Sequence, residues 1–339
     1  MVKYKRFKNA YAILTDMEQR RIDYEQNRTR NGLVYEKYLS GNGGDQPPIC
    51  LFAGMSVLSQ DKHTNPTALT QEERKVGHYL GSVPYDLAEM LNVPVFVIYQ
   101  AGVSGRPYTR GLYSDDTDKI QFAAAVELTG DKGFYPITHS WSSHLGLDFV
   151  LKEEYRDTKI LEGTISSVMT TAIDGLSHTF GKDARKERSV LDLFTGGRGM
   201  TGFPTWFQAF QVLQHLPVCL PTYPLQWQHW QDGTEDLPVN PKWAPDPWIH
   251  YYSAKTFLPY DGLARVRETQ TRHRKPLFVI PTQDRIFSPD QQQEIAAAAG
   301  CKTKEIAAGH GWFAAKRREL DTVLEAIAAH YHESVRMRR

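Results

Sequence analysis

The apolar and polar positions of this chain follow one rhythm at its two ends and lose it in the middle. Residues 9–14 and 20–26 predict two short strands with a polar turn between them, the opening of a β-meander. The next stretch, 27–47, ends in Ser40-Gly41-Asn42-Gly43-Gly44-Asp45, which predicts a loop. Pro48 to Gly54 is a short apolar run closed by glycine, and Val93 to Tyr99 is a second, rich in β-branched residues. Both predict strands buried on two faces. Between them lie a polar segment, 56–70, and a helical pattern over 71–92 that Gly81 or Pro84 can interrupt. Residues 116–129 predict a helix, Phe134 to Thr138 a strand, Trp141 to Lys152 a helix and Lys159 to Leu161 a short strand. The rhythm resumes with a strand at Pro276 to Pro281 and a helix at 289–299, started by Ser288-Pro289 and stopped by Gly300. A strand at Thr303 to Ala307 and a helix at 312–331 close the chain.

Alternating strands and helices predict an α/β fold: a mainly parallel central sheet with helices on both faces. The stretch 164–273 breaks the alternation and holds most of the tryptophans and many prolines. It reads as an insertion, a cap or lid, so the core is expected to comprise 1–163 and 274–339 and the cap 164–273.

Composition narrows the functional classes. A chain of 339 residues can bury a sizeable core, and 41% hydrophobic with 23% charged residues is ordinary for a globular protein. Forty basic against 39 acidic residues leave a formal charge of +1, which gives no electrostatic reason to expect nucleic acid or an anionic membrane as partner. Cys50, Cys219 and Cys301 are far apart and odd in number, so neither a disulfide framework nor a zinc cluster is expected. Met1 to Lys8 is basic but no apolar region follows, and no run reaches the roughly 18 apolar residues of a membrane span. A cytoplasmic protein is the expectation.

The candidate chemistry begins at Phe134-Tyr135-Pro136-Ile137-Thr138-His139-Ser140-Trp141-Ser142-Ser143-His144. Here a strand passes into a helix through a serine with small neighbours. A sharp strand–turn–helix bend pushes such a hydroxyl out at the top of a sheet, and the residues two before and two after must be small for the backbone to turn. The serine also lies near a helix N-terminus, where free N–H groups favour developing negative charge. A serine in this place can equally be a helix cap. Ser142 and Ser143 offer competing registers, but no strand ends one residue before either.

At these residues the chain resembles the α/β-hydrolases, and His139-Ser140-Trp141 is similar to the elbow of proline-iminopeptidase-like members. The family prefers glycine at both flanking positions, where this chain has Thr138 and Ser142. Two later segments carry the resemblance further. Pro276 to Pro289 is a strand, a turn, Asp284 and a helix start; Ile306 to Phe313 is a strand followed by His310 between two glycines and an aromatic pair. The order Ser, Asp, His is that of the family. The resemblance implies Ser140 as nucleophile, His310 as general base and Asp284 as the acid that holds the imidazole tautomer. Asp290 is a reserve acid inside the helix start.

The resemblance also implies an oxyanion hole built from the backbone N–H of Trp141 and, from the loop after Phe52-Ala53-Gly54, that of Met55. Ala53 stands where a histidine is common, and in Gln100 to Pro107, similar to the glycine-rich turn after the next strand, Gln100 replaces an aspartate. The likeness spans about 48–163 and 274–332. It implies a serine hydrolase that cleaves or transfers an ester, thioester or amide acyl group of a small to medium apolar molecule. A non-catalytic binding protein of the same fold is the alternative.

A rival motif lies in the insertion. Val190 to Gly202 contains G-x-G-x-x-G after an apolar run, similar to the first motif of adenosylmethionine-dependent methyltransferases. Dinucleotide binding would need a βαβ unit and a carboxylate about 20 residues on, where the chain offers Pro221 and Pro224. The Gly196–Gly202 loop therefore reads as a connection, and no cofactor is expected. Trp206, Phe207, Trp227, Trp230, Trp243 and Trp248 can line an acyl pocket or pack the insertion's own core. His215, His229 and His250 are too scattered to predict a metal site. The expected partner is a small acyl substrate, with a homodimer left open.

Overall fold

The computed structural model describes residues 22–41, 44–54, 80, 82–99, 117–168, 170, 260–269, 271–284 and 287–338. The expected strand at 9–14, the helical pattern over 71–79, the Gln100–Pro107 turn and most of the insertion lie outside the described residues.

Eight strands form one sheet. They are β1 (Ile22–Arg28), β2 (Val34–Ser40), β3 (Ile49–Phe52), β4 (Val95–Ile98), β5 (Tyr135–His139), β6 (Thr164–Ser166), β7 (Leu277–Pro281) and β8 (Thr303–Ile306). The order is β1-β2-β4-β3-β5-β6-β7-β8. β1 and β2 are antiparallel to their neighbours, and every pairing from β4 to β8 is parallel. The described helices are α1 (Val83–Leu91), α2 (Thr117–Thr129), α3 (Ser143–Leu151), α4 (Gly262–Glu268), α5 (Pro289–Ala299) and α6 (Arg317–Arg338).

β7 shows why the parallel strands read as unbroken apolar runs. Leu277 and Val279 join the cluster that includes α6, whereas Phe278 and Ile280 join the cluster of α3, α4 and α5. Both faces are covered, so both sets of alternate side chains must be apolar. α6 meets this demand with Leu320, Val323, Leu324, Ile327 and Tyr331, a buried stripe at helical spacing. α5 starts with proline and stops at Gly300, whose φ of +67° closes the helix, both as expected from the sequence.

Three strand expectations differ: Lys159–Leu161 forms only an isolated bridge, from Ile160 to Phe134, and β2 and β6 fall where no strand is expected. β2 lies inside the 27–47 stretch, where the sequence predicts no strand. Its inward positions are Val34, Glu36 and Tyr38. The buried carboxylate of Glu36, which accepts from the hydroxyls of Tyr38 and Tyr99 at 2.9 Å each, interrupts the apolar alternation that would betray a strand. β6 belongs to the sheet although Thr164–Ser166 stands at the start of the stretch assigned to the insertion. At three residues, with one apolar side chain, it is too short to show a period.

The chain leaves β3 toward β4 on one side and leaves β5 toward β6 on the other. The carboxyl ends of β3 and β5 are thus a topological switch point, the place of the crevice in which open α/β sheets bind their ligands.

Candidate active site

Ser140 follows β5 immediately and begins a single 3₁₀ turn, Ser140–Ser142, that runs into α3. Its φ is +56°, a left-handed conformation that a residue with a Cβ adopts only when its surroundings impose it. Three contacts impose it here. Ser142, fully buried, turns its hydroxyl toward the carbonyls of Phe52 at 2.6 Å and His139 at 3.0 Å. The same oxygen accepts from the N–H of His139 at 2.9 Å. The elbow is thereby tied to the last residue of β3.

Thr138, two residues before Ser140, finds its room in α3. A Cβ added at Gly146 would collide with Thr138 Oγ1 and lie 2.9 Å from Ile165 Cγ1. Gly54, just past β3, serves the serine in the same way: a Cβ there would sit 3.1 Å from that of Ser140.

His310 is buried in the loop after β8, and its Nε2 lies 2.7 Å from Ser140 Oγ. Its Nδ1 faces the carboxylate of Asp284, 3.0 Å from Oδ2 and 3.2 Å from Oδ1. Asp284 stands in the turn after β7, and its side chain is fully buried. A carboxylate opposite Nδ1 keeps the proton there, so Nε2 presents a lone pair to the hydroxyl. The imidazole is held between the rings of His139 and Phe287, with centroids 5.0 and 5.4 Å away. Ser167, in a left-handed conformation at φ +44°, donates its hydroxyl to the His310 carbonyl at 3.3 Å.

His139 is the second buried imidazole of the site. Ser166 donates its hydroxyl to Thr138 O, so its oxygen is free to accept from His139 Nδ1 at 3.2 Å. Burial first, and then the charge of His310, hold the His139 pKa well below the usual histidine value. A neutral His139 does not oppose a positive charge on His310.

The structure thus brings together Ser140, His310 and Asp284, which are 170 and 26 residues apart along the chain. Asp290 is exposed in the first turn of α5 and is not among the groups around His310. Ser142 is committed to the backbone. The N–H of Trp141 belongs to the turn that follows the serine, while Met55, the Gly196–Gly202 loop and the tryptophans of the insertion lie outside the described residues. No cluster of three or more His, Cys, Asp or Glu that could hold a metal ion occurs among the described residues. No described helix is long and apolar enough to cross a membrane.

Sequence reasoning misses Gln292, which touches the acid. It is fully buried on α5, donates to Asp284 Oδ2 at 3.2 Å and to Phe287 O at 3.0 Å, and accepts from Val168 N–H at 3.1 Å. One signal could have found it: Gln292, Ile295, Ala296 and Ala299 share one helix face, so a polar residue heads an apolar stripe.

Comparison with solved structures identifies the architecture. An alpha/beta fold family hydrolase from Bacillus anthracis str. Sterne is similar with a TM-score of 0.57 at 12% identity, over 91% of this chain and 99% of that chain. An enantioselective mutant of epoxide hydrolase from Aspergillus niger is similar with a TM-score of 0.55 at 14% identity, over 93% of this chain and 80% of that one. A proline iminopeptidase from Mycobacterium smegmatis is similar with a TM-score of 0.51 at 10% identity, over 94% and 100%. No protein-family model and no curated protein matches the chain. The fold is that of the α/β-hydrolases.

Proposed function

We propose that this chain, which has the α/β-hydrolase fold, is a serine hydrolase acting through an acyl-enzyme on Ser140. The observation that carries the reading is one buried imidazole bridging a strained serine and a buried carboxylate, at 2.7 Å on one side and 3.0 Å on the other. His310 Nε2 takes the hydroxyl proton as Ser140 Oγ bonds to the acyl carbon, and Asp284 stabilises the imidazolium that results. The carbon–heteroatom bond to the leaving group then breaks. His310 returns its proton to that alcohol, thiol or amine. A water, deprotonated by the same imidazole, attacks the ester on Ser140 and frees the acid and the serine.

The N–H groups of Trp141 and Met55 are the proposed donors to the oxyanion, since both follow strands that end at the crevice. The proposed substrate is a small to medium apolar ester, thioester or amide. Near-neutral net charge supports this over a polyanion, and the tryptophan-rich insertion supports an apolar cap. Cysteines spaced without a pairing pattern support action in a reducing, cytoplasmic setting.

The test is a fluorophosphonate probe followed by peptide mapping, with a panel of aryl esters, acyl thioesters and aminoacyl amides. Labelling at Ser140 and turnover that vanishes in Ser140→Ala are expected. A folded protein that neither labels nor turns over any member would be a binding protein on a hydrolase scaffold.

A further inference from the structure

We infer that Gln292 is a positioning residue for the acid of the triad, an inference that rests on the serine-hydrolase reading. Its amide makes three bonds in a site closed to solvent. The backbone N–H of Val168 can only donate, so Oε1 must face it. The NH₂ group is then left with two partners that can only accept, Phe287 O and Asp284 Oδ2, and turning the amide over would set donor against donor and oxygen against oxygen. The surroundings of Gln292 therefore admit one orientation.

That orientation fixes the carboxylate. Asp284 Oδ1 accepts from Phe287 N–H at 3.0 Å and Oδ2 accepts from Gln292, so each oxygen is held from behind while both face His310 Nδ1. Without Gln292, Oδ2 loses the donor that fixes it apart from His310, and the carboxylate is less firmly oriented. The imidazole would tilt with it, and the 2.7 Å contact to Ser140 would be the first geometry lost. Val168 lies just beyond β6 and Asp284 just beyond β7, so the amide also locks two adjacent strand ends together. Leucine or methionine would fill the volume and lose the bonds. Glutamate would place a carboxylate oxygen against Asp284 Oδ2 and Phe287 O.

The experiment uses the full chain as wild type, Gln292→Met, Gln292→Glu and Ser140→Ala. A 4-nitrophenyl ester is the substrate. Active sites are counted by fluorophosphonate labelling run to completion, so that kcat refers to folded, competent molecules whatever the stability of each variant. Loss of a hydrogen bond to a charged group predicts a fall in kcat of about tenfold to hundredfold in Gln292→Met. Gln292→Glu should fall further, and KM should stay within about twofold in both, because the lost contact acts on chemistry and not on ground-state binding. The downfield proton resonance of His310 Nδ1–H should shift or vanish in both variants. A kcat per active site within about twofold of wild type in both, with that resonance unmoved, overturns the inference. Turnover that survives in Ser140→Ala overturns instead the reading on which it rests.

Discussion

Gly146 on α3 stands against Thr138, two residues before Ser140, and the threonine keeps its side chain there only because residue 146 has none. The elbow that this chain resembles has glycine at position 138. Here threonine occupies the strand and glycine occupies the helix eight residues on, so the free space has moved from one partner to the other. Gly146→Ala should gain about 1 kcal/mol of helix propensity and lose about 1–3 kcal/mol to overpacking. The net expectation is destabilisation in the wild-type background. In the Thr138→Gly background the collision with Oγ1 is gone while the 2.9 Å approach to Ile165 Cγ1 remains, so the same change should cost less than in wild type. Urea denaturation of the four proteins measures the coupling. An equal cost in both backgrounds would show that the contact is not what constrains the site.

Asp284→Asn should abolish most activity for two reasons that act together. The carboxylate accepts from Phe287 N–H, Gln292 NH₂ and His310 Nδ1. An amide there must turn its NH₂ toward at least one of these donors. If it faces His310, the imidazole is driven to the wrong tautomer, with its proton on Nε2, and cannot accept from Ser140. Loss of the correct tautomer costs roughly 10⁴-fold in kcat in triad enzymes. The measurement is single-turnover acylation by an aryl ester, and KM should change little. A variant that acylates at even a tenth of the wild-type rate would remove Asp284 from the mechanism.

Ser140 and Asp284 are legible in the sequence because each follows a fully buried strand, Tyr135–His139 and Leu277–Pro281, whereas His310 follows the mostly polar Thr303–Ile306 and is legible from the glycines and aromatic pair around it. β3, β4, β5 and β7 are legible for the same reason, whereas β6 is too short to show a period. What escapes reading is whatever depends on a polar group being buried. Glu36 conceals β2. Gln292 is one of three successive glutamines, Gln291 to Gln293, and only helix phase sets it apart. Ser142 and Thr138 look like departures from an elbow pattern, yet both are accommodated, one by hydrogen bonds to β3 and the other by Gly146. A local pattern records which residues are small but not which neighbour yields the space.

Two buried histidines should make the protein sensitive to mild acid. Burial holds the pKa of His139 well below the usual value and that of His330 below it. His330 Nε2 faces the Lys275 carbonyl at 3.1 Å and therefore carries the proton, leaving Nδ1 to accept from Tyr135 OH at 2.8 Å. Protonation would replace that acceptor with a donor. The unfolded chain titrates these imidazoles near pH 6.5, so below that pH it binds protons that the folded state refuses. Stability is thus full above about pH 7 and falls as pH drops from about 6.5 toward the folded-state values, by at most about 1.4 kcal/mol per pH unit for each histidine. Urea midpoints between pH 7.5 and 5 measure this. A His330→Gln variant should show a shallower slope than wild type, and an unchanged slope would exclude His330 as a source.

Arg274 should be among the most costly residues to replace outside the site. It is buried just before β7, and its guanidinium donates to the carbonyls of Phe149 at 2.7 Å, Tyr155 at 2.6 Å and Ile160 at 3.2 Å. Phe149 lies in the last turn of α3, whose carbonyls have no partners within the helix. Removing the side chain orphans two buried oxygens, those of Phe149 and Ile160, each costing about 1–3 kcal/mol, while Tyr155 O keeps the N–H and hydroxyl of Thr158. Arg274→Ala should therefore lose at least about 2 kcal/mol in urea denaturation. Arg274→Lys should recover little of it, since a single ammonium cannot span three directions as a planar fork does. Full recovery by lysine would mean that charge, not geometry, is what the site requires.

Ser142 offers a test of how the elbow is held to β3. Its hydroxyl engages Phe52 O, His139 O and His139 N–H, and none of these is replaced when the oxygen is removed. In Ser142→Ala the methyl group still fills the space and excludes solvent, so the cost is that of orphaned buried groups, about 1–3 kcal/mol. Ser142→Gly removes the same bonds but also the Cβ, leaving room for a water with the three polar partners that ordered waters seek. Glycine carries its own backbone penalty of about 0.5–1 kcal/mol, smaller than what the water restores. Alanine should therefore be the more damaging substitution, in thermal stability and in kcat for an aryl ester, because a slackened elbow moves Ser140 away from His310. If glycine proves equal to or worse than alanine, the hydroxyl is not acting as a bridge between two strand ends, and the strained conformation of Ser140 must be maintained by packing alone.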